Sequence, residues 1–160
     1  MDQTVIKVLF VCMGNICRSP SAQGVAEYKA AKLGVLERFV LDSAGTHAFH
    51  HGEQPDSRSC HAAGQRGIDL SSQKARRVDT QDYYTFDYIL AMDEANYQSL
   101  LAAAPPDASA KIKKMMAYSN LGITDDVPDP YYGGRHGFEQ VLDLLDNAVD
   151  GFLKDVLDDI

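Results

Sequence analysis

Cysteine is scarce in this sequence: Cys12, Cys17 and Cys60 are the only three in 160 residues. The odd count excludes a closed disulfide framework, and the spacing matches no zinc-ligand pattern. Such a chain fits a reducing, cytoplasmic setting. No apolar run approaches the roughly 20 residues needed to cross a bilayer, and Met1-Asp2-Gln3-Thr4 lacks the pattern of a signal peptide. Positive charge is also short. Fifteen Lys and Arg against 23 Asp and Glu leave a net charge of −8, which argues against general nucleic-acid binding. The local basic cluster of Lys74, Arg76 and Arg77 reads as a solvated face. Internal repeats, low-complexity tracts and long linkers are missing too, so residues 1–160 are expected to form a single domain. The 45% hydrophobic and 24% charged content suits a globular chain able to bury a core.

What is present alternates between strand and helix patterns. Val5–Val11 is a nearly unbroken apolar run, expected to be a central strand buried on both faces. Ser19-Pro20 reads as an N-cap and first helical position, Ala22–Leu33 as the helix, and Gly34 as its stop. Further strands are expected at Phe39–Ala44, Tyr88–Met92 and Lys111–Met115, and helices at Asp56–Gly67 and Glu94–Ala103. Phe138, Leu142, Leu145, Val149, Phe152 and Val156 recur at three- and four-residue steps, one face of a long C-terminal helix. The order implies an α/β fold with a parallel sheet, whose first strand-to-helix turn is the expected ligand site.

That turn is Cys12-Met13-Gly14-Asn15-Ile16-Cys17-Arg18-Ser19. Between a buried strand and a helix N-terminus it can wrap into a ring of inward-pointing backbone N–H groups. Those groups and the helix dipole attract a phosphate dianion without net positive charge on the protein. The same field favours a thiolate at Cys12, the expected nucleophile. Arg18 can hold two phosphate oxygens in its planar fork, which lysine cannot. Gly14 is expected to relieve the backbone, and Ser19 to donate to the thiolate while accepting a helix N–H.

Val8-Leu9-Phe10-Val11-Cys12-Met13-Gly14-Asn15-Ile16-Cys17-Arg18-Ser19-Pro20 resembles the signature of the low-molecular-weight protein tyrosine phosphatases. Ser43-Ala44-Gly45-Thr46, Pro55-Asp56, Phe86-Asp87-Tyr88-Ile89-Leu90, Met92-Asp93-Glu94 and Asp129-Pro130-Tyr131-Tyr132-Gly133 resemble further blocks of that family, in order. The resemblance covers essentially the whole chain. It implies a three-layer α/β fold, with a four-stranded parallel twisted sheet flanked by helices and the phosphate loop after strand 1. It also implies hydrolysis of phosphotyrosine and aryl phosphate monoesters through a phosphocysteine, without cofactor or metal. The implied partner is a phosphotyrosine-containing protein, a bacterial tyrosine kinase among the candidates. Oligomeric state is not implied.

A leaving phenolate needs a proton, and composition alone offers Asp125, Asp126 and Asp129 in one stretch. The proline after Asp129 stiffens its turn, and the resemblance assigns it the role of general acid and then base. Phe49, Tyr131 and Tyr132 are candidate aromatic walls, with ordinary packing the competing role. Relatives usually carry tryptophan or tyrosine where Phe49 stands. Met13 and Ile16 are expected at the apolar rim. Asn15 and Ser43 resemble residues that brace the loop. Where many relatives add a histidine to that network, near Ser72-Gln73, this sequence has none. Cys17 is either a small buried residue or, as the resemblance implies, a redox partner of Cys12. Cys60 reads as packing. His47, His50, His51, His61 and His136 read as solvated loop residues without metal-ligand spacing.

Two other functions compete. A thioredoxin-coupled arsenate reductase shares the loop but needs further cysteines, and Asp82–Leu90 contains none. A non-catalytic phosphoprotein-binding module would keep the anion ring and lose the nucleophile or acid, whereas Cys12, Arg18 and Asp129 are all present.

Overall fold

The computed structural model describes residues 4–47, 49–131 and 135–158, the last segment without the side chains of residues 135 and 136. Apolar residues run through the first strand, β1 (Ile6–Cys12), and their side chains alternate between two faces. Val8 and Phe10 point with Cys12 into one core. Leu9 and Val11 enter a second core on the opposite face. Both faces are covered, so β1 is central, as its nearly unbroken hydrophobicity predicts. The sheet order is β2-β1-β3-β4, all parallel, with β2 at Phe39–Gly45, β3 at Tyr88–Ala91 and β4 at Lys111–Lys114. The chain therefore crosses from one side of β1 to the other after β2, and the switch point lies at the carboxyl end of β1.

Helix α1 (Arg18–Lys32) packs Ala22, Val25, Ala26 and Ala30 onto the sheet at three- and four-residue steps. Lys29 and Lys32 sit in its last turn, where they complement the helix dipole, and Gly34 follows with φ 74°. Helix α5 (Arg135–Asp158) lies beside it. All six residues of the expected stripe, from Phe138 to Val156, are buried, as are Val141, Leu144, Ala148 and Leu153. Each such leucine or valine contributes about 1.5–3 kcal/mol of hydrophobic stabilisation. Gly151 lets α5 approach the turn at Met115–Tyr118. A Cβ there would lie 2.0 Å from the Tyr118 carbonyl oxygen.

Helix α2 (Ser57–Gly64) is shorter than its expected span. Asp56 stays outside as the N-cap, its carboxylate receiving the Arg58 N–H at 2.8 Å. Helix α4 (Glu94–Ala103) has the expected bounds, set by an Asp93–Asn96 capping box. Three short elements had no periodic signal: α3 (Asp82–Thr85) and the 3₁₀ turns at Leu36–Arg38 and Met115–Tyr118. The last of these ends β4 before Met115. No helix among the described residues is long and apolar enough to cross a membrane.

Candidate active site

Cys12, the last residue of β1, pairs with Gly45 at the end of β2, so the loop leaves the sheet at its carboxyl edge. The loop's carbonyls are held outward. Thr46 N donates to Cys12 O at 2.9 Å, His47 N to Met13 O at 3.0 Å and Asp56 N to Ile16 O at 2.7 Å. Ser21 occupies the Cys17 carbonyl through both N–H and Oγ, at 3.2 and 2.7 Å. With the carbonyls engaged outside, N–H groups are left for the concave side, and the Asn15 N–H already points at Cys12 Sγ, 3.3 Å away. The left-handed residue of the turn is Asn15, φ 58°, rather than Gly14. Asparagine tolerates that region. Gly14 serves space instead, since a Cβ there would meet His50 Cδ2 at 3.2 Å.

Ser19 is not the helix N-cap. Helix α1 starts at Arg18 after Cys17, which makes no side-chain cap bond. Ser19 Oγ instead lies 3.0 Å from Cys12 Sγ and 2.8 Å from Asn15 Nδ2. The hydroxyl accepts from the Asn15 side chain where a helix N–H was expected. Asn15 Nδ2 also donates to Ser43 Oγ at 2.9 Å, which places both expected bracing residues behind the loop.

Arg18 is 3% exposed. Its Nη1 donates to Asp93 Oδ2 at 2.6 Å and to Val127 O at 3.1 Å, and its Nη2 lies 3.7 Å from Asp129 Oδ2. Burial works to lower the Arg18 pKa, but Cys12, Asp93 and Asp129 outweigh it and hold the guanidinium charge above the usual arginine value. Burial pushes the Cys17 thiol the other way, up to about 12, with nearby Asp56 adding to the effect and a Ser59 hydrogen bond opposing it. All three cysteines are free thiols. Cys60 packs against the α1–α5 core, as expected.

Of the three candidate aspartates, only Asp129 lines the cleft with Cys12. Its Oδ1 accepts the Tyr131 N–H at 3.0 Å, closing a local turn over Pro130. Asp126 serves as an anchor, accepting the Glu94 N–H at 3.1 Å and pairing with Lys114 at 2.6 Å. The cleft holds about 250 Å³, with Cys12, Arg18 and Cys17 at its base and Met13, Ile16, Phe49 and Tyr131 around it. Phe49 is 68% exposed and stacks on His47, centroids 5.1 Å apart. Tyr132 lies outside the described residues.

A family model for low molecular weight phosphotyrosine protein phosphatase matches residues 7–160. The chain belongs to this family. A relative of that name from Schizosaccharomyces pombe is 40% identical over 152 residues, covering 94% of this chain and 97% of its own. The crystal structure of a protein tyrosine phosphatase from Entamoeba histolytica, with Hepes in its active site, superposes with TM-score 0.92 at 40% identity. It covers 96% of this chain and 97% of its own. A structure named drosophila arginine phosphatase gives TM-score 0.88 at 32% identity, covering 94% of this chain and 98% of its own.

Three residues of this phosphatase-family site were missed in the sequence. Asp93 stands in a block that resembles the family, but no role was expected of it, and it holds Arg18. Arg76 is no solvated charge: its guanidinium binds Asp42 and Asp82, and its N–H reaches Asn15 Oδ1 at 3.0 Å. Lys74 and Arg77 are exposed, as expected. His50 is no solvated loop residue either. It lines the cleft beside Gly14 and pairs with Glu53 at 2.7 Å. Among the described residues no cluster of His, Cys, Asp or Glu is arranged to hold a metal ion.

Proposed function

We propose that residues 1–160 act as a single catalytic domain that hydrolyses phosphotyrosine in proteins, with Cys12 as nucleophile, Arg18 as phosphate clamp and Asp129 as general acid and base. The observation that carries this reading is the convergence of Cys12, Arg18 and Asp129 on one cleft at the start of α1. Met13, Gly14, Asn15, Ile16, Cys17 and Ser19 complete the ring that takes the phosphate, Ser43 supports it, and Phe49 and Tyr131 flank the phenol. In the first step the Cys12 thiolate attacks phosphorus as the P–O(aryl) bond breaks, and the Asp129 carboxyl gives its proton to the leaving oxygen. In the second, Asp129 takes a proton from water as that water attacks the phosphocysteine. The P–S bond breaks and the thiolate and inorganic phosphate are released. With Nη1 held by Asp93 and the Val127 carbonyl, Arg18 turns its Nε–Nη2 edge to the transferring oxygens, matching their charge in both transition states.

The substrate is a phosphoprotein met in the cytoplasm, with bacterial tyrosine kinases among the candidates. Aromatic faces at the mouth favour an aryl ester over the phosphoguanidinium implied by the name of the Drosophila relative.

Release of nitrophenol from aryl phosphates by the pure protein tests the reaction. Cys12→Ser is expected to abolish turnover. Asp129→Ala is expected to slow the first step more for poor leaving groups than for good ones. Equal slowing across leaving groups would remove Asp129 from the acid role, and faster turnover of phosphoarginine than phosphotyrosine peptides would overturn the substrate class.

A further inference from the structure

Cys12 Sγ stands at one end of a run of buried side-chain hydrogen bonds. Ser19 Oγ lies 3.0 Å from the sulfur, and Asn15 Nδ2 donates to Ser19 Oγ and Ser43 Oγ at 2.8 and 2.9 Å. Ser43 Oγ donates to Gln73 Oε1 at 3.2 Å, and Gln73 Nε2 donates to the Pro20 carbonyl at 3.0 Å. Asn15, Ser19, Ser43 and Gln73 are all buried.

Two backbone groups decide which way every bond in the run points. Pro20 O can only accept, so the Gln73 amide turns its NH₂ to it and its oxygen to Ser43. Ser43 gives its one proton to that oxygen, which leaves Ser43 Oγ as an acceptor for Asn15. The Arg76 N–H can only donate, and it reaches Asn15 Oδ1. The Asn15 NH₂ therefore faces both serines. Ser19 Oγ, already accepting from Asn15, keeps its own proton for Cys12 Sγ at 3.0 Å or the Ala44 carbonyl at 3.4 Å. With a thiol at Cys12 the hydroxyl can face Ala44. With a thiolate it turns to the sulfur, and only this last rotor changes.

We infer that Gln73 is a positioning residue, an uncharged amide that draws the Ser43 proton away from Asn15 and so keeps the Ser19 proton available to the Cys12 thiolate. This rests on the proposed nucleophilic role of Cys12. Without Gln73, the buried Ser43 hydroxyl would seek Asn15 Oδ1 and compete with the Arg76 N–H that fixes the amide. The members between Cys12 and Pro20 carry no titrating group. The charged and titratable groups that face the run come from outside it. They are Arg18 with Asp93 and Asp129, Arg76 with Asp42 and Asp82, His50 with Glu53 beside Gly14, and the exposed Lys74 next in sequence to Gln73. Cys17 adds a neighbouring thiol.

The test is the pH profile of Cys12 carboxymethylation by iodoacetate in the full chain, followed at that residue by mass spectrometry. Gln73→Met keeps length and burial but removes both hydrogen-bonding groups. Its midpoint is expected to move up by about half a pH unit, from the loss of one modest hydrogen bond to the run. Ser43→Ala is expected to shift it comparably, and the double variant no further than the larger single shift, because both break one run. Gln73→His restores a donor and an acceptor and should return the midpoint at high pH, while adding a second step where its ring titrates. Unmoved midpoints in folded Gln73→Met and Ser43→Ala, or additive shifts in the double variant, would overturn the inference. Should Gln73→Met fail to fold, Ser43→Ala and Gln73→His decide between the same outcomes. Titration of Cys12 is read without turnover. The predicted shifts in the variants, with no nitrophenol release by the wild-type protein, would sink the proposed function alone. Normal turnover with unmoved midpoints would sink this inference alone.

Discussion

Asp93 uses its two carboxylate oxygens for different elements: Oδ2 holds Arg18 Nη1 at 2.6 Å, while Oδ1 accepts the Asn96 N–H at 2.8 Å and caps α4. The side chain that starts a helix after β3 thus also parks the proposed phosphate clamp, which comes from the helix after β1. Both ends meet at the carboxyl edge because β1 and β3 are parallel neighbours. Asp93 is fixed by its own cap, so the resting position of Arg18 is set by the fold rather than by the mobile end of a long side chain.

Asp93→Asn separates these roles. The amide keeps one acceptor oxygen, enough for the cap, and presents an NH₂ that cannot receive the guanidinium. Far-UV circular dichroism should be unchanged, while kcat/KM for an aryl phosphate falls about tenfold to hundredfold, the range of a lost charge-assisted hydrogen bond. An unchanged kcat/KM would show that Arg18 finds the phosphate without Asp93.

The Cys17 thiol is pushed up to about 12 from 9.0 by burial, so its thiolate is negligible at pH 8. Iodoacetate at that pH should label Cys12 well before Cys17, as read by peptide mapping. The same shift has a stability consequence. The folded state holds the proton more tightly than the unfolded chain, so the stabilisation is present below about pH 9 and is lost as pH rises through about 12. Early labelling of Cys17 would contradict the buried, neutral thiol.

Long-period patterns made the larger fold legible in the sequence. The run into Cys12, the stripe from Phe138 to Val156 and the bounds of α4 all follow from hydrophobic spacing and capping, which are local. Cys12, Arg18 and Ser19 were legible because eight consecutive positions bring them to one turn. Arg76, His50 and Asp93 were not, since Asn15 and Asp42, the Gly14 side of the cleft, and Arg18 respectively lie far from them in sequence, and a charged or polar residue read alone looks solvated. Gly14 and Ser19 gave the right residues with the wrong local reasons. The strained φ falls on Asn15, and the serine hydroxyl serves the sulfur and Asn15 rather than the helix end, because Arg18 already begins α1.

Tyr118 packs edge-on against Phe152, centroids 5.1 Å apart, and its buried hydroxyl has no hydrogen-bond partner among the described residues. Burial, helped by Tyr88 and Asp155, raises its pKa from 10.0 to about 12. Tyr118→Phe keeps the ring contact and removes a desolvated polar group, so stability at pH 7 should rise by about 1 kcal/mol in urea denaturation. The wild-type chain should also lose stability between about pH 10 and 12, where the unfolded phenol ionises first. That component should vanish in the variant, and a destabilised Tyr118→Phe would mean the hydroxyl is satisfied after all.

Gly45 closes the back of the proposed phosphate loop at the point where β2 ends beside Cys12. A Cβ there would stand 2.7 Å from Met13 O, 3.0 Å from His47 O and 3.2 Å from Asn15 N. All three are backbone atoms, so no rotamer change can relieve the clash, and two of them belong to the loop itself. Gly45→Ala should therefore distort the ring of N–H groups, costing about 1–3 kcal/mol of stability and at least about a hundredfold in kcat/KM. Gly64→Ala is the control: nothing lies within 4 Å of a Cβ at that last residue of α2, and activity should be unchanged. Equal kinetics for the two variants, measured with nitrophenyl phosphate alongside thermal denaturation, would show that the loop tolerates displacement from behind.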